Sequence, residues 1–523
     1  MPKNSGFNPQ SKLWKQFASW LRSIIPSAVR DCSTYKFQPV TSRNLQVIRL
    51  CTALLKLESH NKLYLCLVLF ITATVFIGCA HYPQNQPLES APVTGTHDFG
   101  RLNSPENSDE TFVVLTFSGG GTRAAALAYG VLAKLQETRI DKNRKSLLDE
   151  VDVISTVSGG SFTGAYYALF GNRIFAEFKD KFLYRDLEAE LLRKMFNPVN
   201  WWRLASPYFS RIDLAAEIYD ASIFESQTYG TLAQRSKKPF LIVNATNLYQ
   251  GARFEFTGRQ FRYLGSDINS YPVARAVAAS SAFPFLLSPV SLVNYPYPAE
   301  KKITLPDEMA AGDYRTNKRR YYAAWNNNIY ADEKEHPYVH LTDGGLADNL
   351  GLRAVYDLYV REEIRAKINN GKIKRLLIIV VNAKAAKRET FDKNEVPPGL
   401  TTVAYKTATV SMDNYSLDTV EVFTNLFNER IREQQNIEAC QQFLDRQAKD
   451  GYKIPSLAGG NLKLYVADLS FDDLAEPQLR DYFNSLPTSF KLSPEQVDNL
   501  IDIGGKLLDQ HPEFQKFLAD NTK

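Results

Sequence analysis

Short runs of apolar residues alternate along this chain with longer stretches in which apolar residues recur every three or four positions. Apolar runs of this length are typical of buried strands, and the clearest are Thr111–Phe117, Val151–Val157, Pro239–Thr246, Tyr338–Asp343 and Arg375–Ala383. The stretches that follow the first two runs have the apolar spacing of helices. Strands that alternate with helices predict an α/β fold, in which helices cover a mostly parallel central sheet.

Several segments depart from this alternation. Residues from about 185 to 235 and from about 291 to 337 interrupt it and are predicted to be insertions, largely helical. Residues 401–523 have a helical pattern, which predicts a helical C-terminal extension packed on an α/β domain at 109–400. Residues 81–108 are rich in Pro, Ser, Asn and Gly, a composition typical of an exposed, flexible linker.

The N-terminal region has a composition of its own. Residues 1–62 form a basic extension, and the segment from Leu63 to Ala80 runs for 18 residues without a charge. This length is near the lower limit for a membrane-spanning helix. The basic flank predicts that residues 1–62 lie in the cytoplasm and that the rest of the chain lies on the other side of the membrane.

The end of the uncharged segment allows a second kind of membrane attachment. Its last residues, "FIGCA", place a small residue and Cys79 after an apolar run, which resembles a bacterial lipoprotein signal with Cys79 as the acylated residue. Phe76 stands where leucine is usual, and the preceding leader is long for a signal peptide. An uncleaved transmembrane anchor, a lipoprotein signal and a buried core helix therefore all remain open.

The net charge of the whole chain, +5, comes from its N-terminal part. Beyond residue 80 the chain contains 52 Lys and Arg and 55 Asp and Glu. Because acids slightly outnumber bases there, the sequence predicts no interaction with nucleic acid.

Three glycines follow the first predicted strand, at Gly119, Gly120 and Gly121. They leave backbone N–H groups accessible at the start of a helix, where such groups bind an anion such as a phosphate or a developing oxyanion. No lysine follows at the phosphate-loop spacing, and Ala124 occupies the last position of a dinucleotide fingerprint. A tight turn between strand and helix without a ligand is the alternative.

A second strand end carries the stretch "STVSGGSFTG", Ser155 to Gly164. A nucleophilic serine on a sharp strand-to-helix turn needs small residues two positions before and two positions after it. Two positions after Ser158 the chain has Gly160, but two positions before it the chain has Thr156 instead of glycine. Ser161 is less suitable because Thr163 follows it and because it falls inside the predicted helix. Ser158 is therefore the predicted nucleophile, with a helix N-cap as its alternative role.

A third strand end carries an acid in "HLTDGGLADNLGL". Asp343 ends the strand and two glycines follow it, so a base at this position would be accessible, although an Asx turn is the alternative. The histidines offer no better base: His336 and His340 lie before the strand tip, and His511 lies near an apparent helix boundary. The remaining arrangement is a Ser158–Asp343 dyad, in which desolvation raises the basicity of the carboxylate.

These blocks together resemble the patatin-like phospholipase family over residues 111–390. "SGGGTRAAALAYGVL" is similar to the family's glycine-rich oxyanion loop, with Arg123 at its basic position, and "STVSGGSFTGAYYA" is similar to its nucleophile elbow. "VNATNL" followed by "FEFT", then "AVAASSAFPFLLSPV", resemble shared core segments, and "DGGLADN" resembles the motif of the catalytic aspartate. The blocks occur in the family order.

The resemblance implies an α/β sandwich with a Ser–Asp dyad, which hydrolyses acyl esters of phospholipids and other lipids without a metal or a cofactor. It makes residues 109–400 a catalytic domain, with Ser158 and Asp343 as the catalytic pair. The N–H groups of Gly119, Gly120, Gly121 and Gly159 are the expected oxyanion hole. Arg123 is expected to steady this loop or to attract a phosphate head group.

The expected protein is a membrane-associated phospholipase A-type hydrolase of the bacterial cell envelope, with its catalytic domain on the periplasmic side. An inactive lipid-binding envelope protein of the same fold is one alternative, because Thr156 departs from the elbow pattern. A nucleotide-binding protein that uses the glycine loop is another.

Overall fold

A computed structural model describes residues 80–88, 96–101, 107–140, 145–235, 238–284, 286–296, 314–315, 318–360, 363–385, 393, 395–447, 453–455 and 462–521. The predicted basic extension 1–62 and all of the uncharged segment except Ala80 lie outside these residues. Within the described part of the chain, no helix is both long enough and apolar enough to cross a membrane.

The centre of the fold is an 8-stranded sheet in the order β10-β9-β2-β3-β4-β8-β7, with β5 on the free edge of β4. A separate two-stranded pair consists of β1 and β6. The strands are β1 Gln86–Pro87, β2 Thr111–Phe117, β3 Val151–Val157, β4 Phe240–Asn247, β5 Ala252–Phe256, β6 Ser266–Asp267, β7 Val290–Val293, β8 Tyr338–Asp343, β9 Arg375–Asn382 and β10 Lys463–Ser470.

Helices pack against both faces of the sheet, and further helices lie elsewhere in the described residues. In chain order they are α1 Gly121–Glu137, α2 Gly159–Phe170, α3 Ile174–Phe178, α4 Leu187–Phe196, α5 Pro198–Leu204, α6 Arg211–Tyr219, α7 Tyr229–Arg235, α8 Gly258–Tyr263, α9 Val273–Ser280, α10 Lys318–Asn328, α11 Gly345–Asp348, α12 Leu352–Val360, α13 Glu363–Asn369, α14 Leu400–Arg446, α15 Pro477–Ser485, α16 Pro494–Gln510 and α17 Pro512–Asn521. Between them lie short 3₁₀ and π turns.

Successive residues of the central strands belong to two different hydrophobic cores. In β2, Val113 and Leu115 pack in one core with α1, α2 and α16, whereas Val114 packs in the other with α12, α13 and α14. Side chains of a strand alternate between faces, so a strand covered on both sides must be apolar throughout. This explains the continuous apolar runs of the sequence and confirms the predicted α/β sandwich.

Strands β3 and β8 both pair with β4, and this pairing brings the C-terminal ends of β3 and β8 together. Strands β10, β9, β2, β3 and β4 are parallel, whereas β8 runs antiparallel to β4. The last pair between β3 and β4 is Val157 with Asn244, and the next residue of β4, Ala245, pairs with Asp343 at the end of β8. Since β5 occupies the other edge of β4, β3 and β8 end against each other.

The C-terminal region contains the predicted helices and also one strand that the sequence pattern did not predict. Strand β10 pairs in parallel with β9 along its whole length, from Lys463 to Ser470. Residues 83–197 and 210–523 form one compact unit, without a division near residue 400. The C-terminal extension therefore completes the sheet of the α/β domain.

The prediction of a flexible linker at 81–108 is wrong for residues 83–88 and 96–101. Asn85 is buried, and its amide donates to Ser266 Oγ and to the Val293 carbonyl, each at 2.9 Å. His97 is also buried, with its ring nitrogen 2.8 Å from the Leu241 carbonyl, and burial lowers its pKa to about 4. The polar composition of this segment reflects these specific hydrogen bonds.

The described residues 80–82 belong, together with Pro198–Phe209, to a second, smaller unit. In its described part, Ser206 Oγ donates to the Ala80 carbonyl at 2.6 Å, and the Tyr82 N–H donates to the Tyr208 carbonyl at 2.8 Å. His81 stacks on the ring of Tyr208. The chain that follows the uncharged segment is thus fixed against α5.

Candidate active site

Ser158 lies at the turn between β3 and α2 in a strained backbone conformation. Its φ is +49°, a value that side chains other than glycine rarely adopt. Its side chain makes no helix-capping hydrogen bond. Instead, the hydroxyl is near enough to the carboxylate of Asp343 to lower the pKa of that group. The alternative role of Ser158 as a helix cap is therefore excluded, and the two residues that the sequence singled out are in contact.

The chain crosses itself closely around this serine. A Cβ at Gly159 would lie 2.0 Å from the Gly121 carbonyl oxygen, and a Cβ at Gly160 would lie 2.7 Å from the Ser118 carbonyl oxygen. Only glycine fits at either position, because real Cβ atoms do not approach other atoms so closely. The glycine loop after β2 and the turn after β3 are thereby held against each other.

Asp343 is the titratable group of the site. It is buried, and burial raises the pKa of its carboxyl to about 6, although hydrogen bonds from the Gly345 N–H and the Ser158 hydroxyl act in the opposite direction. The Gly345 N–H bond, at 2.8 Å, is the Asx-type contact that the sequence allowed as an alternative. Asp343 makes this contact and also interacts with the hydroxyl of Ser158.

The three glycines after β2 do not have equivalent N–H groups. The N–H of Gly119 donates to the Asn349 carbonyl at 3.1 Å. The N–H groups of Gly120, Gly121 and Gly159 make no hydrogen bond to any other described residue. Gly120 and Gly121 have φ values of +143° and +61°, so this loop uses conformations that favour glycine. Three of the four expected oxyanion donors are thus available.

Arg123 holds the glycine loop in place. Its guanidinium is buried and donates to the Ala383 carbonyl at 2.9 Å, to the Leu486 carbonyl at 2.6 Å and to Thr488 Oγ1 at 2.9 Å. These contacts join α1 to the end of β9 and to the C-terminal region. Of the two roles expected for Arg123, the structure supports the steadying of the loop.

The other polar candidates lie elsewhere. Ser161 is fully buried within α2, where its hydroxyl is 3.0 Å from Ser280 Oγ. His340 is exposed on β8 beside Ser291, and His511 caps the end of α16. Among the described residues, no histidine hydrogen-bonds to Ser158 or Asp343, and no group of three His, Cys, Asp or Glu side chains is arranged to hold a metal ion.

Two residues near the site were not predicted individually. Ser280 Oγ accepts the Ser158 N–H at 2.8 Å and donates to the Asn244 carbonyl at 2.6 Å. Met412 of α14 reaches Gly345, since a Cβ at Gly345 would lie 2.3 Å from its Cε and 3.0 Å from Asp343 Oδ1. Ser280 lies in the segment "AVAASSAFPFLLSPV", which resembles a core segment of the family, but its role depends on a contact that no local pattern reveals.

The family model of the patatin-like phospholipases matches residues 115–356, which include the glycine loop, Ser158 and Asp343. Residues 115–356 belong to the patatin-like phospholipase family. The resemblance inferred from the motifs is confirmed, and the family supports lipid acyl hydrolysis in general. No curated protein matches the sequence of this chain.

The solved structures that match this chain have low sequence identity and low TM-scores. Human GIVD cytosolic phospholipase A2 is 14% identical over 55% of this chain and 47% of its own, with a TM-score of 0.31. Its complex with methyl gamma-linolenyl fluorophosphonate is 11% identical over 79% of this chain and 59% of its own, with a TM-score of 0.36. VipD from Legionella pneumophila is 11% identical over 86% of this chain and 73% of its own, with a TM-score of 0.24. The chain spans about half the length of the phospholipase A2. Such low TM-scores add nothing to the family match.

Proposed function

We propose that this protein is a membrane-associated lipid acyl hydrolase of the phospholipase A type, which uses Ser158 and Asp343 as a catalytic dyad. The interaction of the Ser158 hydroxyl with the buried Asp343 carboxylate, beside an elbow with positive φ, carries the proposal. Strain of this kind costs on the order of 1–3 kcal/mol and is concentrated at functional sites.

In the first step, Ser158 Oγ attacks the carbonyl carbon of the ester while its proton passes to Asp343. A carboxylate in water is too weak a base for this transfer, but burial raises the pKa of Asp343 to about 6. A base whose pKa is near the working pH accepts the proton with less cost and is still largely ionised. The leaving alcohol then takes the proton from Asp343, and an acyl ester of Ser158 remains.

The oxyanion of the tetrahedral intermediate needs fixed hydrogen-bond donors. The N–H groups of Gly120, Gly121 and Gly159 are the candidates, because the N–H of Gly119 is bound to Asn349. The loop that carries them is fixed by Arg123, so little reorganisation is required as charge develops. Removal of one such donor typically lowers turnover by about 10²–10³.

In the second step, a water molecule gives a proton to Asp343 and attacks the acyl carbon. Collapse of the second tetrahedral intermediate releases the fatty acid, and the proton returns to Ser158. The same carboxylate therefore acts as a base and then as an acid in each half-reaction. The Met412 side chain next to Gly345 provides an apolar surface beside the reacting centre, which suits an acyl chain.

Membrane association is supported by the exposed aromatic residues of the smaller unit. Trp201 and Trp202 of α5 are 56% and 50% exposed, and tryptophan is enriched at membrane–water interfaces. Ser206, next to this helix, binds Ala80, the last residue of the uncharged segment. Whether that segment is a transmembrane anchor or a lipoprotein signal at Cys79, its end and α5 would meet the same membrane surface. The basic flank favours a periplasmic position for the catalytic domain.

The experiment that tests this proposal combines a fluorophosphonate probe with hydrolysis of mixed phospholipid vesicles by the full chain. We expect covalent labelling of Ser158 and release of free fatty acid. Ser158→Ala should abolish both while the protein retains its melting temperature. Ser161→Ala is the matched control, since Ser161 lies three residues further in the same motif. This variant should still be labelled at Ser158.

Two results would contradict the proposal. Labelling and hydrolysis that persist in Ser158→Ala would exclude Ser158 as the nucleophile. A wild-type protein that binds the vesicles but reacts with no probe and releases no fatty acid would instead indicate a lipid-binding protein without activity.

A further inference from the structure

Asn349, the residue that follows α11, has a side-chain oxygen beside the dyad that lacks a hydrogen-bond donor. Its Oδ1 is buried and accepts no hydrogen bond from any other described residue. A buried acceptor without a donor costs free energy, and most buried polar atoms in native proteins have a partner. In an active site, such an oxygen is suited to a donor that arrives during the reaction.

Two glycines show where this oxygen lies. A Cβ at Gly345 would be 3.0 Å from Asn349 Oδ1 and also 3.0 Å from Asp343 Oδ1. A Cβ at Gly119 would be 2.7 Å from Asn349 Oδ1 and 3.3 Å from the Cβ of Ser158. The amide oxygen of Asn349 is therefore close to both members of the dyad, and it borders the same small space as the carboxylate of Asp343.

The backbone on both sides of Asn349 is fixed, so the start of its side chain is held in place. Its own carbonyl accepts the Gly119 N–H at 3.1 Å. Two residues later, the Gly351 carbonyl accepts the Ser155 hydroxyl at 2.6 Å, and the buried Leu350 lies between them. These contacts use backbone atoms at positions 349 and 351, so a change of the Asn349 side chain leaves them in place.

The second half-reaction of the proposed mechanism requires an acceptor of this kind. The attacking water has two O–H bonds, of which one breaks as its proton passes to Asp343 and the other remains in the product. The second O–H needs an acceptor of its own, so that a lone pair of the water oxygen faces the acyl carbon. The N–H groups of the glycine loop are donors and cannot serve. Asn349 Oδ1 is an acceptor and borders the same space as Asp343 Oδ1.

A methionine covers the space between the two oxygens. Met412 Cε lies 2.3 Å from the position of a Cβ at Gly345, which is the position 3.0 Å from each oxygen. Methionine is unbranched and has three rotatable side-chain bonds, so its methyl group moves aside at little cost. Water reaches the two oxygens once this methyl group turns away.

We propose that Asn349 positions the hydrolytic water by accepting its second O–H while Asp343 accepts the first. The inference rests on the proposed function, because it concerns hydrolysis of the acyl ester of Ser158. In this step the water oxygen bonds to the acyl carbon and its first proton goes to Asp343. The bond from the acyl carbon to Ser158 Oγ then breaks, and the proton passes from Asp343 to that Oγ. Asn349 takes up no proton, so it is a positioning residue.

The test compares water with methanol as the acyl acceptor. Methanol has a single O–H, whose proton goes to Asp343, so it needs no second acceptor. The full chain is incubated with a short-chain p-nitrophenyl ester in aqueous methanol. The ratio of free acid to methyl ester then measures how the acyl enzyme divides between the two acceptors. This ratio depends neither on the rate at which the acyl enzyme forms nor on the fraction of protein that is folded.

Asn349→Leu is the test variant, because leucine branches as asparagine does and has no acceptor. Asn349→Asp restores an acceptor oxygen, and Asn349→Ala replaces the leucine variant if that protein does not fold. Asn382→Leu is the matched control. Asn382 is also half-buried and ends strand β9, but its Oδ1 already accepts the Lys384 N–H at 3.1 Å.

We expect Asn349→Leu to lower the ratio of free acid to methyl ester by about three- to tenfold, the factor that one hydrogen bond contributes. Asn349→Asp and Asn382→Leu should keep the wild-type ratio. An unchanged ratio in Asn349→Leu, even if both products decrease together, would overturn the inference and leave the proposed function intact. A ratio in Asn349→Asp as low as in the leucine variant would also overturn it. A wild-type protein that forms neither product would overturn both.

Discussion

The methyl group of Thr156 occupies the space that a side chain at Gly164 would need. A Cβ at Gly164 would lie 2.4 Å from Thr156 Cγ2 and 3.0 Å from Ile154 Cγ2. Thr156 stands where the elbow pattern has glycine. Its methyl group has room because Gly164, in α2, has no side chain. The departure at Thr156 is therefore accommodated by packing and does not indicate a disabled site.

Gly164→Ala should reduce stability, although alanine is normally favoured over glycine within a helix by about 1 kcal/mol. Overpacking of a full core typically costs about 1–3 kcal/mol, so the clash should prevail. Urea denaturation measures the difference. Thr156→Ser removes the methyl group, and the double variant should recover most of the loss. A stabilised Gly164→Ala single variant would show that the two residues do not compete for space.

Ser280→Ala should slow catalysis with little effect on substrate binding. The variant removes the acceptor of the Ser158 N–H and the donor to Asn244, so the elbow should lose part of its fixed geometry. We expect kcat to fall by about tenfold or more, as for the loss of a buried hydrogen bond, while KM changes little. Kinetics with a soluble short-chain ester provide the measurement, and Ser281→Ala, at the neighbouring position, is the control. A loss confined to KM would contradict this positioning role.

Activity should depend on pH through Asp343. The reaction needs its carboxylate form, and burial raises the pKa of this group to about 6. The rate should therefore rise with pH, reach half its maximum near pH 6 and be about tenfold lower at pH 5 than at neutral pH. A profile of kcat/KM for a non-ionisable ester measures this dependence. A midpoint close to pH 4 would indicate that Asp343 is not desolvated in solution.

Trp201→Ala/Trp202→Ala should weaken activity at membranes but not the chemistry itself. Both side chains are exposed on α5, so their removal should not disturb a core. Hydrolysis of phospholipid vesicles should decrease several-fold, whereas hydrolysis of a soluble ester should be unchanged. Trp325→Ala is the matched control, because Trp325 is equally exposed on α10. An equal decrease for both substrates would mean that α5 supports the active site instead of the membrane contact.

Asn85→Ala should destabilise the main unit. Its amide donates to Ser266 Oγ and the Val293 carbonyl, and its Oδ1 accepts the Val293 N–H at 2.7 Å. Each buried group left without a partner costs about 1–3 kcal/mol, so the melting temperature should fall by several degrees. Gln84→Ala, at an exposed neighbouring position, should leave it unchanged. If both variants melt like the wild type, the segment before β2 does not contribute to the fold in solution.

The sequence predicted the features that depend on local pattern. The central strands were recognisable because they are apolar on both faces. Ser158 was recognisable because it follows such a strand beside glycines, and Asp343 because it ends a strand before two glycines. Ser280 and Asn85 could not be predicted, since their roles depend on partners more than 100 positions away. Strand β10 was missed because it lies at the edge of the sheet, where only alternate residues are buried, and this weaker pattern stands among long helices.

The contacts of Arg123 have a consequence for the order of events during synthesis. Its guanidinium is fixed by the Leu486 carbonyl and Thr488 Oγ1, both more than 360 positions later in the chain. On a ribosome, Ser158 and Asp343 emerge long before these partners, so the nascent protein has the proposed nucleophile and base before the glycine loop is supported. The proposed hydrolysis would thus have to wait until residue 488 has left the ribosome.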